Sequence, residues 1–115
     1  MARFHKVRIG TAEMQERFEN AGLRFPADVG VCVIRRSWGP PGSDAPKDLT
    51  IGSLSVMLSY ESIQTGEELA RAHVYEFPDG SHRGTPDPKR LRGEGDTLYI
   101  LDRSLDSPEF FGFPR

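Results

Sequence analysis

The chain has 115 residues, 37% hydrophobic and 28% charged, and a formal net charge of −2. That is enough for one domain, residues 1–115, and no more; seven Phe, three Tyr and one Trp supply the large side chains of a core. The mild acidity counts against a general nucleic-acid or anionic-membrane binder, which carries a basic excess.

Nine Pro and 12 Gly point to short elements and many turns rather than a helical bundle. No apolar run approaches the roughly 20 residues that cross a bilayer. The first six residues lack the apolar stretch of a signal peptide. Cys32 is the single cysteine, so neither an internal disulfide nor a cysteine-based zinc cluster can form. These features set the expectation of a cytoplasmic protein. Twelve of the 15 basic residues are arginine, whose planar fork suits contacts with carboxylates or phosphates.

Arg3 to Ile9 alternates and predicts a first strand, which Gly10 ends. Thr11 is an N-cap residue type, and Met14, Phe18 and Ala21 follow at helical spacing. Glu13 and Arg17 form a favourable i,i+4 pair, and Gly22 suits the left-handed position after a helix. Thr11 to Ala21 is the one predicted helix. Val29 to Trp38 is apolar on both faces up to Ile34, the pattern of a central strand covered on both sides. Cys32 inside that run is expected to be a buried core thiol.

Residues 39–49 carry three prolines and no apolar period, and they read as a mobile surface loop. Thr50 to Tyr60 alternates cleanly. Leu54, Val56, Leu58 and Tyr60 share one face; Ser53, Ser55, Met57 and Ser59 share the other, which is expected to be wet or lightly covered. The segment after Glu67 opens either a short helix or a strand. His73-Val74-Tyr75-Glu76-Phe77 then leads into Pro78-Asp79-Gly80 and Ser81-His82-Arg83. Pro, Asp and Gly in that order specify a type I turn with a bulge, and counting outward pairs Glu76 with His82 and Tyr75 with Arg83. Lys89 to Arg92 is a short strand or turn, and Thr97 to Leu101 is a final strand. The irregular tail, residues 102–115, carries Phe110, Phe111 and Phe113. The expected fold is α+β: a small, mostly antiparallel sheet of four to six strands with one N-terminal helix packed on it.

Few constellations carry chemistry. The hairpin register sets His73 and His82 on opposite faces, which leaves no convergent metal set, and no cofactor motif is present. Two functions fit. The first is a small non-enzymatic protein that binds a protein partner, in the manner of bacterial or phage inhibitors, antitoxins and immunity proteins. Its candidate anchors are Trp38, Phe110, Phe111 and Phe113, because buried aromatics carry most interface energy. The alternative is a small metal-independent ribonuclease. It would use Glu76 as base, His82 as acid, and Arg83 or Arg71 against the phosphate. Exposed strand edges and an apolar tail further predict a homodimer.

Overall fold

The computed structural model describes residues 3–43 and 45–106. Six strands form one mixed sheet: β1 (His5–Ile9), β2 (Val31–Ser37), β3 (Leu54–Ser62), β4 (Glu68–Glu76), β5 (Asp87–Arg92) and β6 (Thr97–Leu101). Their order across the sheet is β1-β6-β5-β4-β3-β2. Every pairing is antiparallel except β1 with β6, which is parallel. The expected α+β architecture is what the chain adopts. The segment after Glu67 resolves to strand, and Lys89 to Arg92 falls within β5.

One helix, α1 (Thr11–Asn20), covers one face and buries Met14 and Phe18 on it. Ala21, the third residue of the predicted stripe, is the exposed C-cap, and Gly22 follows in the left-handed region at φ 77°. The N-cap is Gly10 rather than Thr11. Thr11 is the first helical residue. Its backbone N–H donates to Asp106 Oδ1 at 2.8 Å, and its hydroxyl donates to Asp106 Oδ2. The cap is therefore supplied from the far end of the chain, where Asp106 closes a 3-10 turn (Arg103–Asp106). A carboxylate there also complements the positive end of the helix dipole.

The core lies between α1 and the sheet. Val56, Leu58 and Tyr60 of β3 meet Ala70, Ala72 and Val74 of β4, with Ile9, Leu23, Val31 and Leu91 around them. Phe18 meets Tyr60 edge to face, ring centres 5.2 Å apart. One residue before Phe18, the Arg17 guanidinium lies 4.2 Å over the Tyr99 ring. Gly93 makes that seam possible. A Cβ there would sit 2.6 Å from Tyr99 Cε2 and 3.3 Å from Thr97 Cβ. Gly93→Ala must displace the ring on which Arg17 rests, at the overpacking cost of about 1–3 kcal/mol. A urea melt that shows no loss of stability would contradict this packing.

The structure overturns one strand expectation. β2 is not central. Among the described residues it pairs only with β3 and forms the edge of the sheet. Residues 32–37 are all exposed, and so is the Cys32 thiol that was expected in the core. An apolar run on both faces marks a buried strand only where other elements cover those faces, and among the described residues the rim position of β2 leaves residues 32–37 open. The serine face of β3 departs from expectation in the other direction. Ser53 and Ser59 are buried, and Ser59 donates its hydroxyl to the carboxylate of Glu68, which also accepts from Arg71.

Candidate functional site

The β4 hairpin forms as its sequence dictates. Gly80 takes φ 90°, its N–H donates to Phe77 O at 2.9 Å, and the Phe77 N–H donates to Ser81 O at 2.8 Å. Glu76 bridges His82, and the Arg83 N–H donates to Tyr75 O. His82 Nε2 consequently lies 3.5 Å from Glu76 Oε2.

The arginine at this pair is neither of those expected. Arg83 points to Asp48, 3.0 Å away, and Arg71 pairs with Glu68 on its own strand. Arg35 arrives instead, from β2. Its Nε donates to Glu76 Oε2 at 2.6 Å and its Nη2 donates to Glu76 Oε1, a bidentate pair that spans β3. The Arg35 guanidinium, with His82 adding to it, holds the Glu76 carboxyl below the usual carboxylate range. Sequence gave no sign of this residue, because 41 positions separate the partners.

This geometry fixes what the cluster can do. Both oxygens of Glu76 accept from Arg35, and a depressed carboxyl is a weak proton acceptor. The donors of Arg35 face Glu76 rather than an open phosphate position. The cluster ties an edge strand to a hairpin.

Beside it lies a groove of about 410 Å³ on the helix side of the sheet. Phe18, Leu23, Pro26, Val33, Leu58 and Tyr60 form its apolar lining, and Arg35 and His82 add polar groups. Burial pushes the Tyr60 phenol up, so this groove residue stays protonated and uncharged. No protein family, curated protein or solved structure matches the chain. The reading of the site therefore rests on its own geometry.

The segment that leads into β2 and forms it carries most of the exposed large apolar side chains. Among the described residues eight large hydrophobic side chains are exposed, and five of them fall between Phe25 and Trp38: Phe25, Val29, Val33, Ile34 and Trp38. A sixth, Ile63, adjoins them through its N–H to Gly30 O. Trp38, one of the predicted anchors, is 65% exposed just past the end of β2. The other three, Phe110, Phe111 and Phe113, lie outside the described residues. Among the described residues no three His, Cys, Asp or Glu side chains group as metal ligands. No helix there is long and apolar enough to cross a membrane.

Proposed function

We propose that the protein is a small non-enzymatic binding protein that acts on a protein partner through the β2 edge. The observation that carries this reading is the coincidence of two features in one segment: a seven-residue edge strand that no other described residue pairs on its outer side, and most of the exposed large apolar side chains among the described residues. Each alone is a liability that folded proteins blunt with charge, shortness or cover. The opposite edge is the shorter one, since β1 has five residues. An edge left bare and flanked by Trp38 suits strand addition, in which backbone hydrogen bonds supply affinity.

The inhibitor, antitoxin and immunity proteins of bacteria and phages remain the class this profile fits best. A reducing cytoplasm agrees with the exposed single thiol of Cys32. The homodimer expected from the sequence would use the same edge, which makes a second copy the competing occupant.

The test is affinity capture from the native host with wild type and with Val33→Pro side by side. Val33 directs its N–H away from β3, so proline there removes an edge donor and leaves the internal ladder in place. One partner retained in stoichiometric amount by wild type and lost by the variant is the expected result. Equal capture by both would refute the edge. RNA cleavage by the purified protein that vanishes in Glu76→Gln and His82→Ala would replace this reading with the ribonuclease.

A further inference from the structure

We infer that the β2 edge and the groove beside it are one recognition site for an extended acidic peptide segment, with an apolar side chain seated in the groove. The inference rests on the strand-addition reading above and names the chemistry of its partner.

The backbone comes first. The Trp38 N–H donates to Ser55 O and the Ile63 N–H donates to Gly30 O, each at 2.9 Å. Bonded and non-bonded pairs alternate along an antiparallel ladder. With that register, Cys32, Ile34 and Arg36 bond inward to β3, and Val31, Val33, Arg35 and Ser37 turn their N–H and C=O groups outward. An added strand finds four alternate residues whose outward backbone groups pair with no other strand among the described residues.

The side chains follow from the pairing. Residues opposite one another in a ladder share a face. A partner residue set against Val33 or Arg35 therefore lands on the helix side of the sheet, where those two residues line the groove. Its volume lies inside the about 300–1,000 Å³ range of ligand clefts and holds a large aliphatic or aromatic side chain. The apolar lining rewards that class. Alternate residues of the same strand, facing the other way, meet Ile34 and Arg36.

Charge selects the flanks. β2 carries Arg35 and Arg36 and no carboxylate. Arg35 is neutralised by Glu76. Arg36 on the strand and Arg24 in the groove wall make no ion pair among the described residues. The one carboxylate in the wall, Glu19, is 3.4 Å from the Gln15 amide that donates to it. Asp or Glu next to the anchor would therefore meet an unpaired guanidinium on either face of the sheet. The same arginines count against a second copy. Two-fold pairing of β2 with β2 brings the unpaired Arg36 of each copy to one ladder with no carboxylate on either strand to receive it.

The experiment is selection of a random heptapeptide display library on the full chain, followed by fluorescence polarisation with synthetic copies of the enriched peptides. Enriched sequences are expected to hold a large apolar residue flanked by Asp or Glu. Arg24→Glu with Arg36→Glu, both exposed positions that leave the fold intact, is expected to weaken binding at least tenfold. N-methylation of alternate peptide amides is expected to abolish it on one phase only, which tests strand addition without altering the protein. Neutral or basic enriched peptides that still obey the N-methylation phase would overturn the acidic flanks, and with them this inference, and leave the edge reading standing. Enriched peptides indifferent to N-methylation of either phase would overturn both. No enrichment, together with a dimer by light scattering, would assign the edge to a second copy and overturn the inference.

Discussion

Phe18→Ala is expected to lower the unfolding free energy by about 3–5 kcal/mol, the cost of removing a buried aromatic side chain and leaving its cavity. The figure belongs at the upper end for three reasons. Phe18 is one of only two buried residues of α1. A ten-residue helix is not stable in water by itself, so α1 depends on those two anchors for its existence. The ring also packs edge to face on Tyr60, whose own burial closes β3 to solvent. Truncation thus opens the groove floor as well as the helix seam. At near 4 °C per kcal/mol for a domain of this size, the melting temperature should fall by at least roughly 12 °C. Glu16→Ala, on the exposed side of the same helix, should stay within about 0.5 kcal/mol of wild type. A Phe18→Ala protein that melts with the Glu16→Ala control would mean that α1 does not dock through this residue.

What the sequence disclosed and what it hid divide along contact distance. The hairpin register was legible because Pro78, Asp79 and Gly80 each impose a backbone conformation on the spot, and the bridge from Glu76 to His82 follows by counting. The helix was legible for the same reason: Met14 and Phe18 are one turn apart and both go to the core. The edge position of β2 was not. Val-Cys-Val-Ile is equally the composition of a strand buried between neighbours and of one that waits for a partner, and only the strand order decides between them. Cys32 was misplaced with it. The candidate cluster was half legible. Glu76 and His82 lie on one hairpin, whereas Arg35 reaches them across β3. The cap of α1 was hidden more deeply still, since Asp106 is 95 residues from Thr11.

Acid is expected to destabilise the protein in two pH windows with different causes. The first belongs to His73. Burial is the main reason its imidazole titrates below the ordinary value; Lys89 and Arg103 add to the lowering and Asp87 opposes it. The Ser55 hydroxyl lies 2.7 Å from Nε2, and the Tyr75 ring packs edge-on at 4.7 Å. The unfolded chain therefore takes up this proton first. Stability falls as pH drops through about 6.5, the ordinary imidazole value, and the loss is complete once the folded state is protonated too. The second window belongs to carboxylates held low in the folded chain: Glu76 by Arg35, Asp48 by Arg83, Asp106 by the Thr11 hydroxyl, and Asp79 and Asp102 by the hydroxyls of Ser81 and Ser104. Their contribution is present above the unfolded carboxylate values near pH 4 and is lost as pH falls through the lower folded values. Thermal melts between pH 7.5 and pH 2.5 should show a shallow decline near pH 6 and a steep one below pH 4. His73→Gln should flatten the first step alone, and Glu76→Gln should shrink the second alone. Salt at about 0.5 M should weaken the part of the second step that comes from the Arg83–Asp48 pair, whose exposed charges are screened, and leave the His73 step intact. A melting temperature constant from pH 7.5 to pH 5 would contradict the burial of His73 against β3.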